Sequence, residues 1–143
     1  MDPTVTVTDA PGPEARALVS DGLDAHNLDR AGYWDARPLA VLVHDGATGA
    51  MLGGLVGRTS LGLLFIDLVY LPETVRGQGL GTRLLRAAED EACRRGCRAG
   101  VLFTITFQAP DFYARLGWEE FGRVECDPPG TARVFCRKTL APA

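Results

Sequence analysis

Apolar residues fall along this chain in two rhythms, one of period two or continuous, the other near 3.6. Thr4 to Thr8 alternates valine with threonine and predicts a short first strand. Pro11-Gly12-Pro13 breaks it, and Glu14 to about Leu28 then sets Leu18, Val19 and Leu23 against Asp21 and Asp24, a helical pattern. Leu39 to His44 and Ala50 to Thr59 predict two strands joined by the turn Asp45-Gly46-Ala47-Thr48-Gly49. Leu63 to Leu71 is an apolar run broken by one charge, Asp67, and predicts a buried strand. Leu80, Leu84, Leu85, Ala88 and Ala92 mark the apolar side of a helix that runs to about Arg95, with Gly96 as its C-cap. Gly100 to Phe107 is a second buried strand, Asp111 to Leu116 a short helix behind Pro110, and Trp118 to Cys126 and Ala132 to Lys138 a hairpin across Asp127-Pro128-Pro129-Gly130.

That order, β-α-β-β-β-α-β-α-β-β, predicts a mixed α/β fold around one central sheet. The fourth and fifth strands, joined through a helix, should be parallel, and the rest antiparallel. A length of 143 residues suits a single domain, 1–143, with its own core. Gly53, Gly54 and Gly57 in the third strand mark a bulge or a close approach.

Between the fourth strand and the second helix stands Val75-Arg76-Gly77-Gln78-Gly79-Leu80-Gly81-Thr82. Helix N-termini leave backbone N–H groups without partners and concentrate positive partial charge, while glycines permit left-handed backbone and a close phosphate. Arg76 adds a guanidinium fork matched to phosphate oxygens. The loop therefore predicts an anion site. It is not a P-loop, since Gly81 is followed by Thr82 and Arg83 without a lysine. Nor does the spacing Gly77, Gly79, Gly81 give a dinucleotide fingerprint, and the loop lies mid-chain.

A net charge of −3 argues against an electrostatic nucleic-acid binder. No apolar run approaches a membrane span, and Met1-Asp2-Pro3-Thr4 resembles no signal segment, so the expectation is a cytoplasmic chain without membrane partners. Cys93, Cys97, Cys126 and Cys136 lack metal or redox spacing and are expected as free thiols, and His26 and His44 are too few for a metal centre. No metal is expected.

Arg76-x-x-Gly79-x-Gly81 resembles the R/Q-x-x-G-x-G/A signature of the GNAT superfamily of N-acetyltransferases. Some thirty residues on, Ala109-Pro110-Asp111-Phe112-Tyr113-Ala114-Arg115-Leu116-Gly117-Trp118 is similar to the A-x-x-F-Y-x-x-L-G-F segment of the same superfamily. The likeness spans essentially the whole chain and extends to small bacterial members without an assigned substrate. It implies a mostly antiparallel sheet whose parallel pair, the fourth and fifth strands, splays apart. It also implies acetyl-CoA as cofactor, with Arg76, Gly77, Gln78, Gly79, Gly81 and Thr82 on its pyrophosphate. Val69 and Leu71 would hold the pantetheine arm through their backbone, with Thr106 and Phe112 beside it. Thr106 stands where many members have asparagine.

The implied reaction is direct attack by a primary amine on the thioester. Tyr113 holds the position of the superfamily's tyrosine, and a phenol of ordinary pKa about 10 can donate a proton to a departing thiolate of about 8.5. The competing reading of Tyr113 is a core aromatic beside Phe112. Asp67, by strand parity, shares a face with Val69 and Leu71. There it is either a base of raised pKa or a structural acceptor, and a bulge would reverse its facing. Asn27, Tyr33 and Trp34 are candidates for binding the acceptor, a small-molecule or peptide amine. The oligomeric state stays open, and a homodimer is compatible. Two alternatives stand beside this reading: a catalytically silent acetyl-CoA-binding module, and a nucleotide-phosphate binder using the same loop.

Overall fold

The computed structural model describes residues 1–142, and the chain divides into two compact units, Met1–Trp34 and the chain from Asp35 onward.

The first unit holds one helix, α1 (Gly12–Ala31). Prolines at its start cost no intrahelical hydrogen bond, because the first N–H groups of a helix have no partner there. It ends where Gly32 turns left-handed at φ 84° and donates its N–H to the Leu28 carbonyl at 2.9 Å. The helix thus runs three residues past the expected Leu28, up to the first glycine able to close it. Thr4 to Thr8 forms no strand. Alternation alone satisfies no backbone group, and a strand needs a neighbour to pair with.

The second unit is a six-stranded sheet with two helices. In chain order its elements are β1 (Arg37–His44), β2 (Met51–Ser60), β3 (Leu63–Tyr70), α2 (Leu80–Arg94), β4 (Ala99–Ile105), α3 (Pro110–Arg115), β5 (Glu119–Cys126) and β6 (Thr131–Thr139). The strands lie in the order β1-β2-β3-β4-β6-β5, with β3 and β4 parallel and every other neighbouring pair antiparallel. This is the mixed α/β sheet the pattern predicts. Because Thr4 to Thr8 is not a strand, the parallel pair expected as fourth and fifth is third and fourth here.

Tight turns set the hairpin registers. The Asp45 carboxylate accepts the N–H groups of Ala47 at 2.7 Å and Thr48 at 3.0 Å, closing β1 onto β2. Leu61 and Gly62 both take positive φ, 49° and 82°, as a two-residue hairpin between β2 and β3 requires.

Residues of one parity face α2 and make the core. Leu64 and Ile66 of β3, Leu102 of β4, and Val134 and Cys136 of β6 close around Leu84, Leu85, Ala88 and Ala92 of α2. Full burial of a leucine such as Leu64 or Leu85 contributes about 1.5–3 kcal/mol. Gly100 gives room to the indole of Trp118: a Cβ there would stand 2.6 Å from the ring. That indole donates its N–H to Glu89 at 3.3 Å, and the other Glu89 oxygen takes Lys138, whose ammonium also reaches the Leu116 carbonyl at 2.7 Å.

Two irregularities break the regular sheet. Val56 pairs with Leu68 and Gly57 with Ile66, so Asp67 is the extra residue of a β-bulge. β3 and β4 are paired from Leu63 with Ala99 to Ile66 with Leu102, and their C-terminal halves then part.

Candidate functional site

Where β3 and β4 part, a cavity of about 980 Å³ opens, within the size range of small-molecule sites. Its walls come wholly from the second unit: the C-terminal halves of β3 and β4, the loop into α2, the first turn of α2, the turn after β4, α3, and Arg133 of β6.

The glycine loop forms one end. Gly77 and Gly79 both sit at φ 77°, and Gly79 is the N-cap of α2. No side chain caps the helix start. The amides of its first turn are thus left for an outside partner, in the field of the helix dipole. A Cβ at Gly81 would meet Cζ of Phe112 at 3.1 Å, so the glycine lets the α3 aromatic close against the helix start. Arg76 donates Nε–H to the Leu71 carbonyl at 2.8 Å. Gly77, Gly79, Gly81, Thr82, Phe112, Val69 and Leu71 all line the cavity, whereas Gln78 does not.

Tyr113 stands on α3, edge-on to Phe112 with ring centroids 5.3 Å apart, and lines the same cavity. Among the described residues its hydroxyl makes no hydrogen bond. Burial, with a smaller contribution from nearby Cys136, pushes its pKa above that of a free tyrosine. The phenol is therefore held as the neutral proton donor. Burial likewise raises the thiol of Cys136 and that of Cys97, and all four cysteines are free.

The bulge corrects the expected facing of Asp67. One added residue reverses parity, so Val69 and Leu71 continue the core-facing row of Leu64 and Ile66, and Asp67 falls on the outer side. There Arg58 stacks 4.4 Å from the centre of the Phe65 ring and donates to Asp67 Oδ1 at 2.8 Å. The carboxylate is half-exposed and ion-paired rather than enclosed among apolar side chains.

Thr106 is also placed differently. Its hydroxyl accepts the Ala132 N–H at 3.1 Å and its own N–H goes to the Ala132 carbonyl, tying the turn after β4 to β6 and leaving Thr106 out of the lining. Gln108 lines the cavity instead, its Oε1 accepting from Thr104 Oγ1 at 2.9 Å and from the Ile105 N–H at 3.1 Å. Gln108 shares the strand parity of Thr104 and Thr106, but β4 ends at Ile105, and in the turn that follows it is Gln108 that folds back to the cavity wall while Thr106 ties to β6. Asn27, Tyr33 and Trp34 belong to the first unit and are not among the residues that line the cavity. Arg133, not singled out by motif, enters the lining because the β4–β6 register sets it opposite Ile105.

Comparison with known proteins adds a family to this geometry. Residues 7–118 match the model of the acetyltransferase (GNAT) family. The chain is 37% identical over 116 residues to acetyltransferase Atu2258 of Agrobacterium fabrum, covering 81% of this chain and 84% of that protein. It is 37% identical over 138 residues to a blasticidin-S acetyltransferase of Streptomyces morookaense, covering 94% of each. Among solved structures, an acetyltransferase from Agrobacterium tumefaciens superposes with a TM-score of 0.88 at 33% identity, over 96% of this chain and 99% of that one.

Proposed function

Because this chain belongs to the GNAT family of N-acetyltransferases, which take their acyl group from coenzyme A, we propose that the cavity between β3 and β4 binds acetyl-CoA and an amine-bearing small molecule and joins them by direct attack. One observation carries the reading. The uncapped N-terminus of α2, with its left-handed glycines, and the unpartnered hydroxyl of Tyr113 open into the same cavity.

The residues fit the cofactor. The first-turn amides of α2 and the Arg76 guanidinium offer donors for a pyrophosphate, and a Cβ at Gly77 or Gly79 would project into the open space that a phosphate would enter. Val69 lies on, and Leu71 just past, the stretch of β3 that β4 no longer pairs, so backbone groups there other than the Leu71 carbonyl held by Arg76 are available to an extended amide-bearing arm. When bound, acetyl-CoA supplies a thioester carbon for the amine to attack and a thiolate as the leaving group.

The chain's own residues then manage charge and protons. Tyr113 holds a proton on Oη for the leaving sulfur; burial keeps the phenol protonated and ready to donate, although it also makes it a weaker acid. Asp67 keeps Oδ2 free while Arg58 holds Oδ1, and so offers a carboxylate that draws in and orients an ammonium group. The proton lost by the amine passes to solvent water, which reaches the half-exposed Asp67 carboxylate. Kinship with a blasticidin-S acetyltransferase over 94% of both chains makes blasticidin S the first acceptor to try.

The test is release of free CoA thiol from acetyl-CoA in the presence of blasticidin S and a panel of small amines, with the acetylated product identified by mass. Amine-dependent release with acetylated product supports the reading. Calorimetric binding of ATP or NAD in preference to acetyl-CoA, with no thiol release, would overturn it.

A further inference from the structure

The charges on the cavity wall are unequal. Among the described residues Asp67 is the one carboxylate that lines it, against the guanidinium groups of Arg76, Arg115 and Arg133. Asp67 is already tied to Arg58, and Arg76 is folded onto the Leu71 carbonyl beside the glycine loop. Arg133 has no carboxylate partner among the described residues. It sits on β6 directly across from Ile105, on the face of the sheet turned away from α2, as the alternation of buried Ala132 and Val134 with exposed Arg133 requires. Its guanidinium lies 5.5 Å from the centre of the Phe103 ring, which half-orients the fork before anything binds. The glycine loop, by contrast, leads into α2 on the other face. A donor held at the loop and an acceptor entering from the outer face thus meet through the gap between β3 and β4, with Arg133 on the acceptor's side.

We infer that Arg133 selects the acceptor: the amine that this enzyme acetylates carries a carboxylate, and that carboxylate pairs with the Arg133 guanidinium. The inference rests on the acetyl-transfer reading above. A planar fork matches a carboxylate through two parallel N–H···O bonds. Arg115 on α3 likewise has no carboxylate partner among the described residues, but of the two only Arg133 has its fork held beside an aromatic ring on the outer face, and one such fork balances one negative charge. Phe103 next to it, with Leu68 and Tyr70 elsewhere on the cavity wall, supplies apolar surface for the body of such a molecule. Asp67 on β3 takes the opposite charge, so the site is complementary to a small zwitterion rather than to a simple amine.

The test is calorimetry on the whole protein saturated with CoA, which cannot transfer. The titrants are L-amino acids, each beside its primary amide and its decarboxylated amine. The expected result is a carboxylate-bearing member bound roughly 10- to 100-fold more tightly than its amide, the worth of a hydrogen bond to a charged group. Arg133→Gln should collapse that ratio towards one and Arg133→Lys should restore part of it. In steady-state turnover the loss should appear in the acceptor KM rather than in the acetyl-CoA KM. Equal binding of every acid and its amide would overturn the inference. So would an Arg133→Gln defect confined to the acetyl-CoA KM, which would place the guanidinium on the donor. Carboxylate selectivity that Arg133→Gln abolishes, without turnover of any amine, would uphold the Arg133 assignment and sink the transfer reading.

Discussion

Arg76 gives its Nε–H to the carbonyl of Leu71 at 2.8 Å, bending the loop back on the end of β3 and leaving the rest of the guanidinium to face the cavity. The arginine therefore has a structural bond and a ligand-facing side at once. Arg76→Ala is expected to weaken acetyl-CoA binding by about 1–3 kcal/mol, measured by calorimetry, while the domain stays folded. Gly81→Val should do more. Its Cβ would stand 3.1 Å from Cζ of Phe112 and press on the ring, and binding should fall below detection. Unchanged affinity in both variants would remove the loop from the cofactor site.

Tyr113→Phe keeps the ring and removes the proton. Turnover should drop about 10²–10⁴-fold with acetyl-CoA affinity nearly unchanged. The pH dependence has a definite sign. Burial raises the Tyr113 pKa, so the donor is intact below the ordinary tyrosine value near 10 and is lost only as pH rises through the higher value of the folded state. Any alkaline limb due to Tyr113 should accordingly lie above pH 10. A Tyr113→Phe enzyme that turns over at the native rate across the pH range would show the hydroxyl to be idle.

Asp67→Asn breaks a half-exposed ion pair with Arg58, so stability should change by less than about 1 kcal/mol in urea unfolding. The acceptor KM should rise, and the acidic limb of the pH–rate profile should persist. Disappearance of that limb would instead make Asp67 the base.

Glu89 differs from Asp67 because it is buried. It satisfies Trp118 and Lys138 together, and Glu89→Ala would leave the Lys138 ammonium facing a hole. The expected cost is about 3–5 kcal/mol, read from the urea midpoint. Glu89→Gln keeps the shape and an acceptor for the indole, and should cost less. A loss under about 1 kcal/mol for Glu89→Ala, on the order of an exposed pair, would show that water reaches the Lys138 ammonium.

How much of the fold and the site lay open in the sequence varied with the kind of signal. Gly79 and Gly81 between an apolar run and a helical pattern announce a loop and a helix start, because each rests on local backbone preference. Tyr113 was legible through the motif that surrounds it. Asp67 was not, since a single inserted residue in β3 decides its side, and that insertion is visible only against the glycines of β2. The exchange of Thr106 for Gln108 in the cavity wall hangs on where β4 stops. Arg133 needed the long-range register of β6 on β4, which no local pattern contains. The Val and Thr alternation at Thr4 to Thr8 had the right rhythm without a neighbouring ladder.

The brief pairing of β3 with β4 has a mechanical consequence. The sheet is a β1-β2-β3 leaf and a β4-β6-β5 leaf, zipped together along only the first half of the two central strands and clasped by α2. Amides beyond Ile66 and Leu102 sit at a seam, and in hydrogen–deuterium exchange they should trade faster than the Leu64 and Val134 backbone a few residues away. A ligand bridging both leaves acts as the missing stitches. Its arrival should slow exchange on the two strands together, turning the weakest line of the fold into a gauge of occupancy.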